Sequence, residues 1–149
     1  MKRDRIAENL LVGSYLLDAN EVEELRSLGV TAIFSLQTEE DTGKRGIDWE
    51  EKEASAAKLA FRNLPVRDFD TADLQRKLPD CVMALDSLLK TGHTVYLHCT
   101  SGTGRSPTVA AAYLHWCLAW PLERALAHIR AVRDCSPNVE AIRGAVWPG

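Results

Sequence analysis

The sequence predicts an α/β fold with a largely parallel central sheet and a helix-rich second half, and three observations predict it. Short apolar runs, Leu10-Leu11-Val12, Thr31-Ala32-Ile33-Phe34-Ser35-Leu36 and Thr94-Val95-Tyr96-Leu97-His98, have the length and composition of buried strands. Between them lie segments of helical period, clearest in Leu74, Leu78, Val82, Leu85 and Leu89. Glycines at 13, 29 and 92 punctuate the joins. Strands alternating with helices make a parallel sheet with helical crossovers.

In chain order, Leu10-Leu11-Val12 before Gly13 reads as a short strand and turn. Asn20 can cap a helix that runs through about Leu28 and closes at Gly29. Thr31 to Leu36 is a buried strand. Gln37 to Gly46 is charged and glycine-punctuated, and reads as a loop. Asp48 can cap a helix to about Leu59, and Phe61 to Leu64 returns as a strand before Pro65. The leucine stripe from Leu74 marks an amphipathic helix that Gly92 ends, and Thr94 to His98 is the strongest strand. Ser106-Pro107 opens a helix, with Ser as its cap and Pro in its first turn. Leu122, Ala125, Leu126, Ile129 and Val132 mark a further helix, and Pro137-Asn138 starts a short last one.

Composition narrows the function. The 149 residues carry 18 Lys+Arg against 21 Asp+Glu, a net charge of −3, with 46% hydrophobic and 26% charged residues. That is the balance of a globular domain, and the length predicts one domain over residues 1–149. Net acidity argues against a nucleic-acid partner. No apolar run reaches the ~18–20 residues of a membrane span, so no membrane partner is expected. Met1-Lys2-Arg3-Asp4-Arg5 leads into an amphiphilic segment rather than a secretory signal, which predicts a cytoplasmic protein. A plastid location is the alternative, if a transit peptide has been removed. The cysteines at 81, 99, 117 and 135 form no CxxC pair, so neither a zinc site nor any other metal is expected, and free thiols are the default. Cys81 and Cys117 sit in apolar helical patterns and read as small core residues. Cys99 is different.

Cys99 opens the string His98-Cys99-Thr100-Ser101-Gly102-Thr103-Gly104-Arg105-Ser106-Pro107, which lies between the strongest strand and a helix. Successive amides in such a loop, backed by a helix N-terminus, form an anion-binding nest over Thr100, Ser101, Gly102, Thr103, Gly104 and Arg105. Gly102 and Gly104 supply positive φ and close approach. Arg105 offers a planar two-donor fork for two phosphate oxygens. Amide dipoles and the Arg charge favour a thiolate at Cys99, a nucleophile aimed at phosphorus. A departing alkoxide needs a proton, and both Asp68 and Asp70, ahead of the long helix, are chemically fit to give it. Asp70 reads equally well as a helix cap. No metal or other cofactor is required, because cationic and dipolar groups already face the phosphate.

These residues resemble the cysteine-dependent phosphatases of the dual-specificity class, with their CX5R loop, over nearly the whole chain. Within that class the likeness runs to the plant glucan phosphatases that dephosphorylate starch. It is carried by Phe34-Ser35-Leu36-Gln37, Gly46-Ile47-Asp48, Val66-Arg67-Asp68-Phe69-Asp70, Asp73-Leu74, Leu78-Pro79, the cysteine loop, and Arg133 through Arg143. The resemblance implies a protein-tyrosine-phosphatase-like fold and hydrolysis through a phosphocysteine. It also implies Asp68 as general acid, Phe69 as a substrate contact, and Ser106 as the hydroxyl that helps the thiol leave. His98 is expected to hydrogen-bond the loop.

The sequence departs from the glucan pattern in places. Lys44-Arg45 and Ala72 stand where aromatics are expected, and Ser101 and Ser106 where alanines are common. Ser35 takes the place of a second redox cysteine, and Thr100 and Thr103 stand where inositol-lipid phosphatases place lysines. Trp116 reads as core, Trp147 as exposed, and Lys44-Arg45 as a solvated turn. Three functions stay open: a phosphatase on phosphorylated glucan, a phosphatase on phosphotyrosine or phosphoserine/threonine in proteins, and a phosphate-binding module without turnover.

Overall fold

In the computed structural model, which describes all 149 residues, the apolar runs pair side by side. The strands are β1 (Arg3–Ala7), β2 (Leu10–Gly13), β3 (Ala32–Ser35), β4 (Ala60–Asn63) and β5 (Val95–His98), in the order β1-β2-β5-β3-β4. The β2–β5, β5–β3 and β3–β4 pairs are parallel, and β1 alone runs antiparallel, on β2. The sheet is therefore mostly parallel, as expected. β5 is the central strand because all four of its residues are apolar or capped by partners and can be buried on both faces.

Alternation along the strands sorts the core into two halves. Leu10, Val12, Ala32, Phe34, Val95 and Leu97 face α4 (Thr71–Lys90), α5 (Arg105–Trp116), α6 (Leu122–Val132) and α7 (Val139–Gly144). Leu11, Ile33 and Tyr96 point the other way, onto α1 (Ala19–Ser27) and α3 (Gly46–Ala56). Register then decides where function can sit. Gly13, His98 and Ser35 lie abreast, with Asn63 beside Ser35, so the loops leaving β2, β5, β3 and β4 emerge together. Open α/β sheets bind ligands at the carboxyl ends of their strands.

Several boundaries differ from the sequence reading. Asp18, not Asn20, caps α1, its carboxylate accepting the Glu21 amide. Gln37 to Gly46 is not simply loop. Thr38 and Asp41 form a reciprocal capping box that starts a short helix, α2 (Glu39–Thr42), followed by a 3-10 turn over Gly43–Arg45. Asp48 lies inside the first turn of α3 rather than capping it. Gly104 takes the cap position of α5, leaving the Ser106 hydroxyl free to turn inward. β1 escaped the reading because it is a charged edge strand with one buried residue, Ile6.

One tryptophan differs as well. Trp116 is half-buried against the main core, as expected, and stacks on Trp147 with ring centroids 5.0 Å apart, so Trp147 is covered rather than exposed. The Arg45 guanidinium lies 3.2 Å from the centroid of Trp49, so Arg45 is stacked rather than free in a solvated turn. Cys81 is core, and burial pushes its thiol up to about 12; Cys117 is only half-buried, at the C-terminal end of α5.

Candidate active site

The loop from Cys99 to Gly104 is held by its carbonyls. His98 Nδ1 lies 2.9 Å from Cys99 O, and the Tyr15 amide donates to Thr100 O at 3.0 Å. Arg133 donates to Ser101 O at 3.3 Å and to Gly102 O at 2.6 Å. The Ser136 amide donates to Thr103 O at 2.8 Å, and Thr108 to Gly104 O through both its amide and its hydroxyl. Each carbonyl thus faces outward to a partner. In a trans peptide the N–H points opposite to its C=O, so the following amides face the other way. Those of Thr100, Ser101, Gly102, Gly104 and Arg105 donate to no protein acceptor; only that of Thr103 bonds, to Ser101 Oγ. The result is an anion nest with free donors, standing at the N-terminus of α5.

The two glycines serve differently. Gly102 has φ +73, and an added Cβ would lie 2.5 Å from the Gly13 carbonyl carbon, so no other residue fits there. Gly104 does not have the positive φ expected of it: φ is −118, and the space around it is open. What it supplies is an unobstructed approach to the cleft it lines.

Cys99 is buried, with Sγ 3.2 Å from Ser106 Oγ. Arg105 is also buried and reaches across three elements. Its Nη1 donates to Val66 O at 2.7 Å and to Asp41 Oδ2 at 2.8 Å. Its Nη2 donates to Thr100 Oγ1 at 3.2 Å and to Asp41 Oδ1 at 3.3 Å, with Asp68 Oδ2 at 3.4 Å. Its Nε is the one buried side-chain polar atom in the protein without a partner.

The loop after β4 brings in the carboxylates. Asp68 is part-exposed and faces Arg105, whereas Asp70 Oδ1 accepts the Asp73 amide at 2.9 Å and caps α4. Buried Asp73 accepts the Arg67 amide at 2.9 Å and pairs with Arg76 and Lys77, which fixes the loop's entry. Burial works against its charge, but the Arg67 amide and the two cations prevail, holding Asp73 below the usual carboxylate range. Phe69 has φ +57 and a fully exposed ring at the mouth of the cleft. That cleft is lined by Asp68, Phe69, Cys99, Arg105, Ser136 and Asn138 among others. No cluster of three or more His, Cys, Asp or Glu is placed to hold a metal ion.

Four residues here were not legible as site residues. Gln37 Nε2 donates to Thr100 Oγ1 at 3.0 Å. Asp41 grips Arg105, and Arg133 holds two loop carbonyls. Glu50 Oε2 lies 2.7 Å from Nε2 of the wholly buried His98. The Thr38-x-x-Asp41 spacing is a capping-box signal that marks α2; Glu50 has no sequence signal, since its partner is 48 residues away.

Both His98 nitrogens face acceptors, a carbonyl and a carboxylate, and that arrangement favours the doubly protonated imidazolium against Glu50. Burial opposes that charge, but the Glu50 carboxylate outweighs it, and the His98 pKa is raised above 6.5. A folded-state pKa above the unfolded one gives stability that is full below about 6.5 and is lost as pH rises through the folded value. Melting temperature is therefore expected to fall with pH in that window. Glu50→Gln should flatten the fall and lower the melting temperature at pH 6; an unchanged slope in a thermal-shift series would contradict the pairing.

Residues 12–144 match the family model described as "Dual specificity phosphatase, catalytic domain". The chain is 36% identical over 149 residues to phosphoglucan phosphatase LSF1, chloroplastic, of Arabidopsis thaliana, covering 99% of this chain and 25% of that protein. It is 35% identical over 144 residues to phosphoglucan phosphatase DSP4, amyloplastic, of Castanea sativa, covering 94% of this chain and 38% of that protein. The chain thus spans well under half the length of these relatives. The crystal structure of PTPMT1 superposes with a TM-score of 0.74 at 24% identity, covering 96% of this chain and 90% of that one, and so shares the fold.

Proposed function

The chain belongs to the dual-specificity phosphatase catalytic-domain family, and from that premise we propose that it hydrolyses phosphate monoesters by two displacements at Cys99. The observation that carries this reading is the row of outward-anchored carbonyls, which leaves five amides and Arg105 Nε free beside a buried cysteine. A phosphate dianion placed there meets donors already in position, so no reorganisation is needed as charge shifts in the transition state.

In the first displacement the Cys99 thiolate attacks phosphorus, the P–O bond to the leaving group breaks, and Asp68 gives that oxygen its proton. In the second, Asp68, now a carboxylate, takes a proton from water. The water oxygen bonds phosphorus, and the S–P bond breaks to return the thiolate. Ser106 Oγ, 3.2 Å from Sγ, donates to the departing sulfur. Thr100, Ser101, Gly102, Thr103, Gly104 and Arg105 hold the equatorial oxygens. Phe69 meets the leaving group at the cleft mouth.

The substrate we propose is a phosphorylated glucan, on the strength of the two relatives named as phosphoglucan phosphatases. Their plastid names favour a plastid over the cytoplasm as its place of work. One observation favours the second reading, a phosphatase on proteins. Arg45 covers one face of Trp49, and Trp116 and Trp147 cover each other, so Phe69 is the one aromatic ring left bare at the cleft. Phosphate release from phosphoglucan, phosphopeptides and an aryl phosphate, compared by kcat/KM, tests this. Glucan preferred over phosphopeptide is the expected result. Phosphopeptide preferred would overturn the substrate, and no turnover of any of the three would overturn the enzyme.

A further inference from the structure

The Arg105 guanidinium is used unevenly. Of its two hydrogen-bonding edges, the end formed by Nη1 and Nη2 is filled by Asp41, whose two carboxylate oxygens lie 2.8 and 3.3 Å away. The remaining Nη1 hydrogen goes to Val66 O at 2.7 Å. The side edge, formed by Nε and the second Nη2 hydrogen, carries only the 3.2 Å bond to Thr100 Oγ1 and the 3.4 Å approach of Asp68. Nε itself is buried and bonds to nothing. A buried donor without a partner calls for an explanation, and a tetrahedral oxyanion beside Cys99 supplies one. Its oxygens can accept from Nε, Nη2 and the loop amides together.

Asp41 is placed independently of any ligand. Its Oδ2 accepts the Thr38 amide at 2.8 Å and the Thr38 hydroxyl at 3.1 Å, while its own amide donates to Thr38 Oγ1 at 3.2 Å. Helix α2 is thus a bracket, fixed to the end of β3, that holds one carboxylate against the fork. On the far side of Arg105 the guanidinium plane is held by Val66 O and by Asp41, and Asp41 alone is charged and takes both Nη groups.

We propose that Asp41 is the positioning residue of Arg105: it occupies the Nη1–Nη2 edge, and by doing so turns the Nε–Nη2 edge toward the bound oxyanion. The inference rests on the phosphatase reading and deepens it. Asp41 touches no substrate; it decides which two donors the substrate meets. Asp41→Asn keeps the size of the side chain but puts an NH2 group against donors, so one contact to Arg105 is lost and the hold on the fork is weakened.

The test uses tungstate as a competitive inhibitor of aryl phosphate hydrolysis, read beside the melting temperature. Asp41→Asn is expected to weaken tungstate inhibition roughly tenfold to a hundredfold, the scale of one hydrogen bond to a charged group. Thr38→Ala, which weakens the same helix cap but leaves both Asp41–Arg105 contacts, should weaken it far less for a comparable fall in melting temperature. Equal losses in the two variants, or tungstate inhibition of Asp41→Asn as strong as that of wild type, would overturn the proposal while leaving the phosphatase reading intact. Tungstate that fails to inhibit the wild type would overturn that reading too. A second measurement needs no Asp41 variant. In the ¹⁵N-labelled wild-type protein, the Arg105 Nε–H resonance, identified by its loss in Arg105→Lys, should move downfield when tungstate is added. A resonance that stays put means Nε is not the donor, and the proposal falls.

Discussion

Cys99→Ser is expected to lose aryl phosphate turnover by on the order of four powers of ten or more, while binding tungstate within a few-fold of wild type. A serine hydroxyl at this position is neither ionised near neutral pH nor as good a leaving group as a thiolate, so both displacements fail. The cradle, by contrast, does not depend on sulfur. Its carbonyls are held by His98, Tyr15, Arg133, Ser136 and Thr108, and the fork is set by Asp41 and Val66. The substitution touches one contact in that framework, the 3.2 Å approach to Ser106. Steady-state kinetics with a nitrophenyl phosphate and tungstate titration by calorimetry separate the two effects. Turnover within tenfold of wild type would remove Cys99 from the chemistry.

What could be seen in the sequence, and what could not, divides along the range of the interactions. The loop from Cys99 to Arg105 was legible because its parts are local: the amides, the guanidinium and the cysteine fall within seven residues of one strand end. The strands β2, β3 and β5 and helices α4 to α7 were legible because period and apolar content declare them. Helix α2 was not, since four charged and polar residues carry no apolar period, although Thr38-x-x-Asp41 announced its cap. The support of the loop was hidden for a different reason. Glu50 reaches His98, Asp41 reaches Arg105 and Arg133 reaches Gly102 across 48, 64 and 31 residues, and only the register of the sheet brings them together. A buried carboxylate or arginine looks in sequence like any surface charge until its partner is known. Ser106 shows the same limit at short range: its spacing allowed a helix cap, but the cap position went to Gly104 and the hydroxyl to Cys99.

The assignment between Asp68 and Asp70 leads to the other large effect. Asp68→Asn is expected to slow hydrolysis of a sugar or alkyl phosphate by roughly two to four orders of magnitude, and that of a nitrophenyl ester much less. The reason lies in the leaving group. A basic alkoxide cannot depart without a proton, whereas nitrophenoxide carries its own charge well, so an acid catalyst matters in proportion to leaving-group basicity. The two carboxylates are placed for different work. Asp68 is part-exposed, faces Arg105 across 3.4 Å, and lines the cleft that holds Cys99. Asp70 Oδ1 is committed to the Asp73 amide at the start of α4. Asp70→Asn retains an oxygen for that amide, and asparagine is as good an N-cap as aspartate, so its cost should stay within about 1 kcal/mol of stability. It should affect both substrates alike. The decisive quantity is kcat/KM for each variant on a good and a poor leaving group. A leaving-group-dependent loss in Asp70→Asn, with none in Asp68→Asn, would exchange the two roles. A flat loss in both would mean that the proton comes from neither, and water or a substrate hydroxyl would have to supply it.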